Sequence, residues 1–392
     1  MDKLLQNGKV IIRRLKNAGY EAYFVGGYVR DRLLNITTSD IDITTSASID
    51  DIKALFDKVI LTGEKYGTVT VLYEDHSFEV TTYRKDGPYS DKRHPDKVTY
   101  TKNLIDDLSR RDFTINQLVM DENEKITDHF NGLDDLKNGI IKTINDPIER
   151  FNEDALRLLR AFRFIAKLDF NLEVKTAQAI KQCAPLIKEV AIERIQVELD
   201  TLINYPYKRK AFKKMIETEF SQHLFDLHDG INILSQSTID YEKIHAYTVF
   251  YLETNDLFKR FRLSKKRMRA IEQLARIVYQ TEEEPFKPEI VFHEGLEACL
   301  NANVVHQIYG QNDRAYAIKK IAQDLPIKSV CELKYKGEDI LKQSKLKKQR
   351  HIGYIIDQLI LDVIYHRIPN TKEALKAQTE KLIENLEKSD IQ

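Results

Sequence analysis

Apolar positions change their spacing once along this chain, near residue 145. Before that point helix-like and strand-like periods alternate. "NGKVIIRRLKNAG" brings Val10, Ile11 and Leu15 to one side at helical spacing, with Gly19 placed as a C-cap. "EAYFVGG" then reads as a strand closing on two glycines. "SDIDITT", "GTVTVLYED" and "HSFEVTTYR" alternate apolar and polar residues, the period of a half-buried strand. "KITDHFNGLDDLKNGIIKTI" reads as a further strand and turn leading out of the unit. The pattern predicts a mixed sheet with few helices.

After residue 145 the helical period takes over. In "NDPIERFNEDALRLLRAFRFIAKL", Ala155, Leu158, Leu159, Phe162 and Ile165 form one apolar stripe, and "EVKTAQAIKQCAPLIKEVAIERIQVELDTLI" continues in the same way. Later amphipathic segments carry basic runs: Lys208, Arg209, Lys210, Lys213 and Lys214, then Lys265, Lys266, Arg267 and Arg269. From about residue 300 the chain is helical again and basic in its first part. The fold class expected is α+β, a mixed-sheet head over 1–145 followed by an all-helical neck (146–205), body (206–300) and tail (301–392).

Composition narrows this little. A length of 392 residues suits two to four domains, and 42% hydrophobic with 31% charged residues is ordinary for a globular protein. Lys+Arg and Asp+Glu both number 61, so net charge points to no polyanion, although local patches do. No apolar stretch reaches transmembrane length, and "MDKLLQNGKVIIRRLKNAGYEAY" lacks the apolar core of a signal peptide, so no membrane partner is expected. Cys183, Cys299 and Cys331 are odd in number and far apart. They fit neither a disulfide framework nor a zinc site and suit a reducing compartment, which makes the expected location cytoplasmic.

The candidate chemistry begins in "YFVGGYVRDRLLNITTSDIDITTSAS". Gly26 and Gly27 lack a Cβ, so a phosphate can approach the backbone where the next helix starts, and Arg30 sits one turn into that helix. Asp40 and Asp42 are two apart on an expected strand, which turns both carboxylates to one face while Ile41 and Ile43 enter the core. Clustered carboxylates are hard oxygen ligands of the kind that hold Mg²⁺ against nucleotide phosphates. Glu79, between Phe78 and Val80, is a candidate third ligand from a neighbouring strand. Three such groups can hold two cations, one for the attacking hydroxyl and one for the leaving pyrophosphate. A glycine pair or an Asp-x-Asp alone is most often structural; together, at this separation, they point to nucleotide chemistry.

Two further stretches add to it. In "SRRDFTINQLVMD", Arg110, Arg111, Asp112 and Asn116 stand among Phe113, Ile115, Leu118 and Val119, and Arg111 can reach a phosphate or hold the Asp112 carboxylate. "NEDALRLLRAFRF" reads as one helix, so Asp154 and Arg157, at i and i+3, lie next to each other, and Arg160 and Arg163 continue at steps of three. An intrahelical salt bridge with solvated arginines would explain that pattern without function. An acceptor beside a donor also matches the Watson–Crick edge of cytosine or adenine, whereas guanine and uracil would set a carbonyl against the carboxylate. The pair His228-Asp229 in "LHDGI" lacks companions for a metal site and reads as a helix-end turn.

The glycine pair, the twelve residues after it and "DIDI" resemble the signature of the DNA polymerase beta-type nucleotidyltransferases. More narrowly, "FVGGYVRDRLL…SDIDITT", "RRDFTINQL" and "DPIERFNEDALRLLRAFRF" are similar, in order and spacing, to the motifs of class II tRNA nucleotidyltransferases, over about residues 20 to 200. The resemblance implies a nucleotidyltransferase head, CTP and ATP as substrates with Mg²⁺ as cofactor, and a tRNA lacking all or part of its 3′ CCA as the acceptor. It implies catalytic roles for Asp40, Asp42 and Glu79, with metal held by Asp40 and Asp42, and triphosphate binding at Gly27 and Arg30. It assigns nucleotide and ribose binding to Arg111 and Asp112, base choice to Asp154 and Arg157, and nucleotide binding or orientation of that pair to Arg160 and Arg163. It ties the Gly-, Pro- and charge-rich loop "YRKDGPYSDKRHPDKVTY", with Arg84, Asp91 and Arg93, to the switch from CTP to ATP. The downstream basic clusters become candidate tRNA-backbone contacts. Poly(A) polymerase, addition of the terminal A alone and a non-catalytic RNA binder remain as alternatives, and relatives of this length are often homodimers.

Overall fold

The computed structural model describes residues 2–38, 40–87, 98–254, 257–343 and 349–389. The chain packs as two compact units, Met1–Gln236 with Lys259–Arg262, and Ser237–Phe258 with Leu263–Gln392. In the first unit α1 (Asp2–Asn17) leads into β1 (Ala22–Val25), α2 (Gly27–Leu33), β2 (Asp42–Thr45) and α3 (Ile49–Leu55). The strands β3 (Val59–Gly63), β4 (Thr68–Tyr73) and β5 (His76–Thr82) follow, then the hairpin pair β6 (Arg84–Asp86) and β7 (Val98–Tyr100). After α4 (Leu104–Ser109) come β8 (Val119–Met120) and β9 (Ile126–Thr127). Seven strands form one sheet in the order β3-β4-β5-β2-β1-β8-β9, antiparallel throughout except that β2 runs parallel to β5. That one parallel pairing sets Asp42 opposite Glu79.

The expected mixed sheet is present, and its core is the alternation read from the sequence. Phe24, Ile43, Val69, Val71, Phe78 and Val80 are fully buried, as are Ile11, Ile12 and Leu15 on α1. Both threonines of β2, one on each face, are buried too, because their hydroxyls have partners. The Thr44 hydroxyl donates to Asp107 at 3.2 Å and that of Thr45 to the Glu21 carbonyl at 2.6 Å. Three helical features differ from the sequence reading. A capping box, Ser48 with Asp51, starts α3. The stretch expected as strand and turn folds a short helix, α5 (Gly132–Lys137), between β9 and β10 (Ile140–Ile141). The helix expected to run through "NEDALRLLR" breaks: α6 (Pro147–Glu153) ends at Asp154, whose extended backbone (φ −140°, ψ 100°) separates it from α7 (Leu156–Leu168).

α7 is the axle of this unit. Ten of its thirteen residues are buried, and it packs against the head through Phe164, edge-on to Phe113 with ring centroids 5.6 Å apart. Burial of each large apolar side chain contributes about 1.5–3 kcal/mol, so this face fixes the helix firmly. β11 (Asn171–Leu172), α8 (Val174–Cys183), α9 (Ile192–Ile203), α10 (Lys208–Glu217) and α11 (His228–Gln236) complete the unit. His228 opens α11 and its Nδ1 lies 2.9 Å from the Ser221 hydroxyl, a helix-end contact in keeping with its reading as a turn. The second unit is helical, with Lys243–Glu253, Lys265–Gln280 and Leu296–Ile308 among its main elements. None of the described helices is long and apolar enough to cross a membrane.

One packing contact bears on the site. α5 lies so close to the turn Thr114–Asn116 that a Cβ on Gly132 would meet the Thr114 carbonyl oxygen at 2.4 Å. Backbone cannot retreat as a side chain can, so Gly132→Ala should destabilise the first unit by about 1–3 kcal/mol. A fall in the denaturant midpoint of the first unit's unfolding transition checks this, and an unchanged midpoint would refute the close approach.

Candidate active site

Gly26 sits at the junction of β1 and α2 in a left-handed backbone conformation (φ 73°) that side-chain-bearing residues avoid. A Cβ there would lie 3.5 Å from Arg111 Nη1 and 3.6 Å from Asp42 Oδ2, so the glycine leaves a gap bounded by a cation and a carboxylate. Gly27 opens α2, and Arg30 follows within the helix. Arg30 is buried, with its guanidinium on Asp31 at 2.6 and 2.8 Å, on Asn116, and over the Phe164 ring at 5.0 Å. It borders the cleft as a fixed charge.

Asp42 is the first residue of β2, whereas Asp40 stands in the loop before it, exposed. The expectation that both lie on one strand is therefore corrected, although Ile41, between them, and Ile43, just after, do enter the core. Glu79 on β5 is exposed and directly paired with Asp42, while Phe78 and Val80 are buried. Paired positions on neighbouring strands lie about 5 Å apart and face one way. Burial first, then Glu79 and Asp40, push the Asp42 carboxyl up to about 6, against the opposing pull of Arg111. The crowded like charges make an oxygen-only donor set of the type that suits a hard divalent cation. Among the described residues no three acidic, His or Cys side chains already converge on one point as a preformed ion cage.

Arg111 does not hold Asp112, as the sequence allowed. It turns to Asp107, at 3.2 Å, and its Nε is buried with no hydrogen-bond partner among the described residues. Asp107 is fully buried and also binds Arg110 at 2.7 and 3.0 Å. Burial opposes its charge, but the two arginines outweigh that and hold its carboxyl below the usual range. The i, i+3 and i, i+4 spacing in "DLSRR" carried the signal for this residue.

Asp112 instead pairs across to α7. Arg160 donates to its Oδ2 at 2.6 and 2.9 Å, while Asn116 and the Phe113 N–H donate to Oδ1, each at 2.9 Å. Burial again opposes ionisation, and these donors overcome it, leaving the carboxyl far below its ordinary range. Arg163 is an ion-pair partner of Glu198 at 2.5 Å.

Asp154 and Arg157 both border the cleft but do not touch through their side chains. Arg157 is buried and donates to the Arg110 carbonyl (2.8 Å), the Arg150 carbonyl (3.0 Å) and Glu153 (2.7 Å). Asp154 is held by Arg194 of α9 at 3.0 and 3.2 Å. The intrahelical pair expected from i, i+3 spacing is absent because the helix breaks between the two residues. Arg194, Glu198 and Glu153 were not singled out from sequence; the first two lie some forty residues from their partners, and no local spacing announces them.

Most of these groups, though neither Asp40 nor Glu79, line one cleft of about 430 Å³, in which eight arginines, Arg84 among them, face four aspartates. The excess of positive charge has the sign that a triphosphate requires. A second cleft, of about 490 Å³ beside Val29 and Met120, has Arg32 and Glu124 satisfied by each other and offers no such field. Arg84 lies at the root of the β6–β7 hairpin, against the Tyr66 carbonyl. Asp91 and Arg93 lie outside the described residues.

Three family models match successive parts of the chain: the poly A polymerase head domain over residues 22–142, the probable RNA- and SrmB-binding site of polymerase A over 169–230, and tRNA nucleotidyltransferase domain 2 over 241–378. The CCA-adding enzyme of Lactobacillus helveticus is 38% identical over 384 residues, covering 95% of this chain and 96% of its own. That of Ligilactobacillus salivarius is 36% identical over 387 residues with the same coverage. Among solved structures, the Bacillus stearothermophilus CCA-adding enzyme in complex with CTP matches with a TM-score of 0.85 and 30% identity, over 99% of this chain and all of that one. The fold is shared also by the Thermotoga maritima CCA-adding enzyme complexed with tRNA, at a TM-score of 0.71 and 20% identity over 97% and 96% of the two chains. A likeness that runs nearly the full length of both partners leaves one family, and this chain belongs to it: the class II tRNA nucleotidyltransferases, or CCA-adding enzymes.

Proposed function

We propose that this chain adds C, C and A in sequence, without a nucleic-acid template, to the 3′ end of tRNA that lacks them, using CTP and ATP and releasing pyrophosphate. The observation that carries the reading is the register that sets Asp42 beside Glu79, facing Arg111 across the Gly26 turn. Asp40 and Asp42 are the residues that would hold Mg²⁺, with Glu79 beside them. When bound, the cations activate the attacking 3′-hydroxyl and neutralise the leaving pyrophosphate, the two-metal form of this chemistry.

The chain's own residues do the rest. Gly26 and Gly27 let the triphosphate approach the backbone, and Arg30 and Arg111 supply positive charge; the unsatisfied Nε of Arg111 is a donor kept for it. Asp112, ionised and immobile, accepts from the ribose or holds Arg160 against the nucleotide, and Arg163 completes the basic wall. Asp154 accepts from the exocyclic amine of cytosine or adenine while Arg157 donates to the adjacent ring nitrogen. The relative solved with CTP supports placing a nucleotide here. In this reading 1–145 performs transfer and 146–205 reads the base, while the body (206–300) and tail (301–392) receive the tRNA, with Arg84, Asp91 and Arg93 of "YRKDGPYSDKRHPDKVTY" helping the change from CTP to ATP. Buried Cys183 and Cys299 and exposed Cys331 are free thiols, which suits the cytoplasm.

Primer extension on a tRNA transcript ending before its CCA tests the reading. CTP alone should give two additions, and CTP with ATP three and then a stop. Long ladders with ATP alone would identify a poly(A) polymerase, and addition only to tRNA already ending in CC would identify an A-adding enzyme. The doubly substituted Asp40→Ala, Asp42→Ala protein should retain tRNA in a filter-binding assay and lose turnover by on the order of 1,000-fold. A chelator should stop the parent enzyme and added Mg²⁺ restore it.

Arg160→Ala leaves Asp112 buried without its counter-charge. It should raise KM for both nucleotides and cost about 2 kcal/mol of stability, less than a fully buried pair because the Arg160 side chain is 32% exposed. Thermal unfolding alongside nucleotide titration measures both effects.

A further inference from the structure

We infer that Arg194 is a positioning residue for base choice, clamping the Asp154 carboxylate so that its remaining acceptor direction is fixed toward the nucleotide. The inference rests on the reading of Asp154 as the acceptor of the base. Asp154 stands where the helix breaks, so no helical turn fixes its side chain. Its Oδ1 accepts from the Leu156 N–H at 3.1 Å and from Arg194 Nη1 at 3.2 Å, and its Oδ2 accepts from Arg194 Nη2 at 3.0 Å. Two parallel bonds from one guanidinium set the plane of a carboxylate as a point charge cannot. A carboxylate offers about four lone-pair directions, and three are taken. What remains is one acceptor of defined direction in the wall of the cleft.

The donor half is anchored separately, since Arg157 is tied to the carbonyls of Arg110 and Arg150 and to Glu153. Acceptor and donor therefore owe their orientations to different elements, and α9 is the one that serves Asp154. One turn further along α9, Glu198 pairs with Arg160 and Arg163, so the same helix face steadies the arginines beside the reader. Rejection of uracil and guanine requires the carboxylate to stay put when a carbonyl faces it. A free Asp154 rotates away from the clash, and the penalty that separates right from wrong bases falls.

The test compares kcat/KM for CTP against UTP, and for ATP against GTP, on tRNA lacking part of its CCA. Arg194→Lys keeps the charge and loses the fork; Arg194→Ala loses both. The discrimination ratio should fall by about tenfold in Arg194→Lys and on the order of 100-fold in Arg194→Ala, with loss of rejection exceeding loss of correct addition. If Arg194→Ala does not fold, Arg194→Lys decides. Should all four nucleotides slow together with the ratio and fidelity unchanged, Arg194 is only a structural tie between α9 and the neck, and the inference is overturned. Asp154→Asn separates the two levels. If it loses discrimination while the Arg194 variants keep it, the clamp alone is wrong. If it too keeps the parental ratio, Asp154 does not read the base and both ideas fall.

Discussion

A carboxylate that stays charged while buried imposes order on everything near it, and in this protein that carboxylate is Asp112. Removing it from water costs several kcal/mol unless its lone pairs are met from fixed directions. They are met by Asn116 and the Phe113 amide from the head and by the Arg160 fork from α7. Head and neck are thereby registered to each other through one ion. The order spreads outward: Asn116 also receives Arg30, Arg30 grips Asp31, and Asp31 takes Lys167 back on α7 at 2.6 Å. An apolar contact such as Phe113 on Phe164 supplies attraction without choosing among neighbouring registers. The chain of charges chooses one.

The same cleft contains the opposite electrostatic situation. Asp112 is surrounded by donors and held ionised, whereas Asp42 is surrounded by burial and other carboxylates and pushed toward protonation. Two aspartates in one cleft thus have their titrations driven apart by their settings. A group held ionised by fixed donors suits binding and orientation. A group whose charge is poorly tolerated suits a place where positive charge arrives with the substrate. This contrast gives physical content to the proposed division between positioning residues on the neck side and reacting residues on the sheet.

What the sequence made legible were features whose cause is local. Alternation in "DITT" and "HSFEVTT" placed Ile43, Phe78 and Val80 in the core and left Asp42 and Glu79 on the other face. Glycines in tandem marked the turn at the site because only glycine accepts the backbone at Gly26 without strain. What stayed hidden has causes distant in the chain. The break at Asp154 is not written in the helical period of "NEDALRLLR", which a continuous helix would satisfy equally well. The partners of Asp154, Asp112 and Arg163 lie on other elements, and periodicity is silent about long-range ion pairs. Asp107 is the intermediate case, visible in its spacing to Arg110 and Arg111 but ambiguous there with an exposed helical pair, until burial shows that it is not exposed.

If Asp154 and Arg157 read the base as proposed, the reader is rigid, and rigidity limits what it can choose. Arg157 is tied to two backbone carbonyls and a glutamate, and Asp154 to an arginine fork and a backbone amide, so neither half can be rearranged cheaply between one addition and the next. In the proposed reading such a pair would recognise the amine and ring nitrogen that cytosine and adenine share, and would reject bases that carry a carbonyl there. It has no means of preferring one of the two accepted bases by its own hydrogen bonds. In the proposed reaction the order of addition would then come from parts that do differ between steps: the position of the growing 3′ end, and the walls of the cleft beyond the reader, where Arg84 roots the β6–β7 pair. On the proposed function, fixed side chains set which bases are admissible, and changing surroundings set which of them is next.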